Sequence, residues 1–101
     1  MNKDLDRALS AYDQAIKLKP DSTDYLTSRG LVLYQQGKYQ DALASFNAAL
    51  AINPKLPQAL RLRGAAKGKL GDASGRDADI ANAEALNDKV EILFKPYNVE
   101  L

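Results

Sequence analysis

The sequence predicts an all-α fold, a short solenoid of antiparallel helical hairpins, on three observations. The first is an internal repeat. Sliding the 101-residue chain against itself sets Leu26, Arg29, Gly30, Gly37, Ala49 and Asn53 on Leu60, Arg63, Gly64, Gly71, Ala83 and Asn87, a constant offset of 34. The opposite shift sets Ala42, Leu43, Phe46, Ala49, Ile52 and Pro54 on Ala8, Leu9, Tyr12, Ala15, Leu18 and Pro20. Identities at one offset mean that one supersecondary unit is copied along the chain, and this decides the architecture. The second observation is helical spacing of apolar residues inside each copy. The third is punctuation: a glycine at mid-copy, Gly37 or Gly71, and a proline at the close, Pro20 or Pro54, which stop helices.

The elements follow in order. Residues 3–19 place Leu5, Ala8, Leu9, Tyr12, Ala15, Ile16 and Leu18 at helical spacing and match only the second helix of a repeat. Its first helix is missing, so the chain is expected either as a piece of a longer array or as a protein that starts on a half repeat. The stripe through Leu5, Ala8, Tyr12 and Ala15 then lacks its usual neighbour. Leaving about 300 Å² of it wet would forgo about 7 kcal/mol, so it is expected to be covered. Residues 20–24 form a turn in which Ser22, Thr23 or Asp24 can cap the next helix.

The central copy, residues 23–56, reads as a helix over 25–36, a break at Gly37 and a second helix over 39–52 that ends at Asn53-Pro54. Gly30 falls inside the first helix, where glycine costs about 1 kcal/mol relative to alanine. Close approach of the two helices is the expected offset, with Ala42 and Ala49 facing Gly30 while Phe46 and Leu26 fill the space beside them. The third copy, residues 57–90, is degenerate. Gly64, Gly68, Gly71 and Gly75 lower its helix propensity, Arg76 stands for the small alanine, Ile80 for phenylalanine and Asp88 for the closing proline. A terminal repeat that caps a solenoid is expected to look like this. Residues 91–101, broken at Pro96, carry Leu93, Phe94, Tyr97, Val99 and Leu101, too apolar for a solvated tail. Three readings stand: a cap on the last hairpin of its own chain, an arm that docks on another copy, or disorder.

Composition excludes much chemistry. With 14 basic and 13 acidic residues, the net charge of +1 gives no whole-molecule field toward nucleic acid or anionic membrane. Histidine and cysteine are absent, so no imidazole serves a nucleophilic triad and no disulfide or thiolate site exists. The acids Asp72, Asp77 and Asp79 lack the alternating order of a calcium loop. Gly64, Gly68 and Gly71 lack both the preceding strand and the Gly-Lys-Ser/Thr of a phosphate loop. No enzyme activity, metal or cofactor is expected. No apolar run reaches the length of a membrane span, and Met1 is followed by Asn-Lys-Asp rather than an apolar signal segment. A soluble chain is expected, with the cytoplasm as the favoured compartment. The basic run over residues 55–69 is short, has no interleaved aromatics and is balanced by nearby acids, so nucleic acid is not an expected partner.

The pattern Leu26-x2-Arg29-Gly30-x2-Leu33, then Ala42-x3-Phe46, then Pro54 resembles the tetratricopeptide repeat, from residue 4 to about residue 87. The resemblance implies a right-handed superhelix with the first helix of each hairpin on the concave side, where peptide segments of partner proteins lie. Carried over place by place, it implies a groove lined by Asp24, Thr27, Leu31, Tyr34 and Gln35 in the central copy and by Gln58, Arg61, Ala65, Gly68 and Lys69 in the third. Spacing agrees, since 27, 31 and 34 share one helical face, as do 61, 65 and 68. Residues 55–71 hold five cations and no anion, whereas residues 72–88 hold five acids against Arg76. Two readings of this contrast stand open: a basic wall beside an apolar patch, suited to a partner with a carboxylate and a hydrophobic side chain, or opposed charges that simply pair or are solvated. The clamp by which some members of this family hold acidic C-termini is not expected, because Ser28, Gln58 and Leu62 stand at its later places.

Two functions follow as expectations. One is a scaffold that binds a partner's peptide segment in the groove. The other is a homo-oligomer in which the half repeat and the apolar tail complete each other between copies, through Leu5, Tyr12, Leu93, Phe94 and Tyr97.

Overall fold

The computed structural model describes residues 3–99, and side chains as far as Leu86. Five helices follow one another: α1 (Lys3–Leu18), α2 (Thr23–Gln35), α3 (Tyr39–Ile52), α4 (Pro57–Lys69) and α5 (Ala73–Val99). Each packs on its neighbour in sequence, and α2 also meets α4, as stacked hairpins require. The molecule is long for its size, 51 × 33 × 24 Å with a radius of gyration of 15.5 Å. A globule of this length would have roughly 13 Å.

Local sequence sets the helix ends. Of the three candidate caps, Ser22 serves: its Oγ accepts the Tyr25 N–H at 3.2 Å and opens α2. Asp72 does the same for α5, with Oδ1 accepting the Gly75 N–H at 2.9 Å. Both hairpin turns use a left-handed glycine, Gly37 at φ 79° and Gly71 at φ 89°. The N–H after each reaches back five residues, Lys38 to the Leu33 carbonyl at 2.9 Å and Asp72 to the Lys67 carbonyl at 2.8 Å. This glycine-dependent helix stop recurs at the same place in both copies.

The repeat also fixes which side chains are buried. Leu26, Gly30 and Ala49 are buried in the central hairpin, and Leu60, Gly64 and Ala83 in the next. One core cluster joins Leu33, Ala42 and Phe46 to Ala66 of α4, with Leu9 of α1 packed against it; the other joins Leu50 to Ala59, Leu60 and Ala83. Each cluster crosses from one hairpin to the next, so stacking and folding are the same event.

Of the expected neighbours, Phe46 stands nearest to Gly30. The three atoms nearest to a Cβ built there all belong to the Phe46 ring, Cδ1 at 2.7 Å among them. The glycine in α2 is therefore a seat for an aromatic ring. A difference from the sequence reading lies at the chain's end, where α5 is one helix through Pro96. A proline costs a helix its own N–H bond and crowds the carbonyl four residues back, and α5 ends three residues after Pro96. The side chains of Leu93, Phe94 and Tyr97 lie outside those described.

Candidate functional site

Because α2 and α4 are equivalent helices of consecutive copies, they run side by side with their N-termini at the same edge. Between these N-terminal halves lies a cleft of about 330 Å³. Leu31, Leu56 and Leu62 give it an apolar floor, and Asp24, Thr27, Ser28 and Gln58 give it a polar rim. Such a concave, largely preformed site with a few polar groups around apolar walls is the kind that receives a side chain. The floor needs both copies: Leu31 comes from α2, Leu62 from α4 and Leu56 from the loop before α4.

Of the groove residues expected from the sequence, the structure brings Asp24, Thr27, Leu31 and Gln58 together around this cleft. Ser28 and Leu62 join them, although the sequence marks these two only as mismatches to the acidic-tail clamp. Tyr34, Gln35, Arg61, Ala65 and Lys69 are not in the lining. Tyr34 packs edge-on to Tyr39, with ring centroids 5.2 Å apart, and against the first core cluster. Gln35, Arg61 and Lys69 are exposed and Ala65 is half-buried, as are Leu5 and Tyr12 on α1.

The electrostatics divide the cations of α4 into two sets. Arg63 Nε and Nη2 donate to the two oxygens of Asp79, each at 2.8 Å, and Nη1 donates to Asn47 Oδ1 at 3.0 Å. Lys67 Nζ stands 3.1 Å from the same carboxylate. Asp79 is 3% exposed. Burial alone would raise its pKa, but hydrogen bonds from Arg63 and Lys67, and then their charges, outweigh it and hold the carboxyl below its usual range. The hydrogen bond to Asp79 correspondingly raises the Arg63 guanidinium. Arg61 and Lys69 make no ion pair among the described residues. Two of the four cations of α4 are thus paired with Asp79, and the other two stand exposed.

The same device appears one copy earlier. Arg29 Nε donates to Asp13 Oδ1 at 2.5 Å and Nη1 to Ser45 Oγ at 2.6 Å. Arg29 of α2 and Arg63 of α4 therefore each tie the preceding copy to their own second helix, sixteen residues away on either side. The acid changes sides between copies, Asp13 before Arg29 and Asp79 after Arg63, with Ser45 and Asn47 in the complementary places. Sequence reading aligns the two arginines and gives them no role. The signal present was an arginine repeated beside a glycine, with an acid sixteen residues before or after it.

Among the described residues no group of three acids stands as a metal site, and no helix is long and apolar enough to cross a membrane.

Comparison with known proteins agrees with this architecture. Residues 1–75 match the tetratricopeptide repeat. The BBSome complex member BBS4 of Bos taurus is 33% identical over 69 residues, which cover 68% of this chain and 13% of that protein. The photosystem I assembly protein Ycf3 of Cyanophora paradoxa is 31% identical over 91 residues, 87% of this chain and 53% of that protein. Its counterpart in Synechococcus sp. (strain CC9902) is 32% identical over 82 residues, 75% of this chain and 47% of that protein. The chain thus spans about half the length of the Ycf3 proteins and a smaller part of BBS4. Among solved structures, MamA (MSR-1 C2) superposes with a TM-score of 0.80 at 18% identity, over 86% of this chain and 50% of that one. With the recurring hairpins, the glycine turns and the match over residues 1–75, the chain belongs to the tetratricopeptide repeat family.

Proposed function

We propose that this chain is a non-enzymatic scaffold that holds a segment of a partner protein along α2 and α4, with an apolar side chain of that segment seated in the cleft. Membership of the family carries protein partners, and the related BBS4 and Ycf3 are named for a complex and for an assembly. The observation that carries the finer reading is the cleft itself: Leu31, Leu56 and Leu62 meet as an apolar floor without being closed over by the chain's own side chains. A single desolvated anchor in such a pocket often dominates binding energy. The free cations Arg61 and Lys69 extend the same helix face, and Tyr34 flanks it.

The test begins with selection of binders from a displayed random peptide library on the intact chain, followed by titration calorimetry. Leu31→Glu is expected to weaken the selected peptides at least tenfold, and so is the double reversal Arg61→Glu with Lys69→Glu. Affinity unchanged by Leu31→Glu rejects the cleft as the site. Self-association is a second reading, favoured by the half-buried state of Leu5 and Tyr12 and by Leu18, which is 85% exposed. A light-scattering mass equal to one chain at tens of micromolar rejects it.

A further inference from the structure

The second helix of the third copy supplies a side chain to the first-helix face. In the central copy Tyr34 is large and its counterpart across the hairpin, Ala42, is small and wholly buried. In the third copy the sizes are exchanged: Gly68 stands at the place of Tyr34 and Arg76 at the place of Ala42. The exchange has a geometric result. A Cβ at Gly68 would stand 2.9 Å from Arg76 Cδ, 3.6 Å from Cγ and 3.7 Å from Nη1. The stem of Arg76 therefore lies across the bare backbone of α4, and its guanidinium reaches the edge that Tyr34 fills one copy earlier.

This places Arg76 over Gly68, the residue before Lys69, on the helix face that also carries Arg61 and Ala65. Arg76 Nε donates to Asp77 Oδ1 at 3.0 Å, in a pair whose side chains are 44% and 71% exposed. An exposed pair of this kind holds its partners weakly, and it leaves the Nη groups, Nη1 among them at Gly68, for another acceptor. Arg63 and Lys67 are occupied by Asp79. Arg61, Lys69 and Arg76 are thus the cations of this edge without a buried partner.

We propose that Arg76, laid over Gly68, is a specificity residue that makes the groove prefer a partner segment bearing a carboxylate about three residues from its apolar anchor. The inference rests on the groove reading and adds a partner chemistry and a spacing to it. Leu62 on the cleft floor and Lys69 are seven residues apart on α4, about 10 Å at the helical rise. An extended chain covers that distance in about three residues. The planar fork of a guanidinium suits an aspartate or glutamate side chain. Gly68 is the positioning residue, since it keeps open the space in which Arg76 lies.

The test uses the intact chain, nitrogen-15 labelled, with two blocked hexapeptides as probes: Ac-Ala-Leu-Ala-Ala-Glu-Ala-NH2 and the same peptide with Gln for Glu. Dissociation constants are read from amide shifts. The Glu peptide is expected to bind at least fivefold more tightly than the Gln peptide, with shifts at Gly68 and Lys69 as well as at Leu31 and Leu62. Arg76→Gln and Gly68→Ala should each bring the dissociation constants of the two peptides to within twofold of one another. Gly68→Ala keeps the charge and only displaces it, and alanine in the helix should raise Tm, so loss of preference cannot be ascribed to unfolding. Equal binding of the two peptides by the wild type overturns the inference while shifts at Leu31 and Leu62 sustain the groove. A Glu preference that survives both substitutions also overturns it. No shift with either peptide sinks both readings.

Discussion

At the scale of single residues, Asp79 is the most consequential side chain in the fold. Its equivalent, Ser45, accepts one hydrogen bond from Arg29, whereas Asp79 accepts two from Arg63 and pairs with Lys67. A carboxyl held below its ordinary pKa in the native state binds a proton more readily when unfolded, so stability falls as pH drops. The contribution is fully present above the unfolded value near 4 and is lost as pH falls through the lowered native value. Urea midpoints of the wild type should therefore drop between pH 5 and pH 2 by more than those of Asp79→Asn. At pH 7 that variant should be less stable by about 2 kcal/mol, below the 3–5 for a fully buried pair because Arg63 keeps some contact with water. Parallel pH profiles for the two proteins would show that Asp79 does not carry the acid response. Gly30 is as specific in a different way, since any side chain there meets the Phe46 ring.

At the scale of elements, α1 differs from the rest. None of its residues is buried. It is held by Leu9 against the first core cluster, by Asp13 on Arg29 and by Asp6 Oδ1, which accepts the Gln36 Nε2 hydrogen at 2.7 Å. Local opening follows low apolar burial, so α1 amides should exchange hydrogen well ahead of those of α3, which buries Ala42, Phe46 and Ala49. Asp13→Ala should speed exchange in α1 further and leave α3 unchanged. Equal protection of the two helices would mean that α1 opens only with the whole molecule. What could be read in advance follows the same division. Hairpins, turn glycines and the buried set were legible because two copies with one offset constrain each other. Arg76 and the acid that switches from Asp13 to Asp79 were not, because they sit where the copies diverge, and a difference between copies does not say which neighbour takes up the change. Four residues of the cleft were legible, Asp24, Thr27, Leu31 and Gln58. Ser28, Leu56 and Leu62 join them only once α2 and α4 lie side by side.

At the scale of the whole molecule, stability is a chain of nearest-neighbour terms, because each core cluster spans two hairpins and, among the described residues, distant helices do not meet. The cleft inherits this property: its floor closes only while the second and third copies stay stacked. Leu60 tests the coupling, since it is buried in the second cluster but is outside the cleft lining. Leu60→Ala should destabilise the chain by about 2–4 kcal/mol through lost burial and the space left behind. In a linear array that loss falls mainly on one joint. Amides of α4 and the first turns of α5 should gain exchange more than those of α2 and α3, and peptides seated between Leu31 and Leu62 should bind more weakly although every residue they touch is intact. Uniform acceleration across α2 to α5 would show instead that the two hairpins unfold as one unit, and the cleft would then be as rigid as its most stable helix.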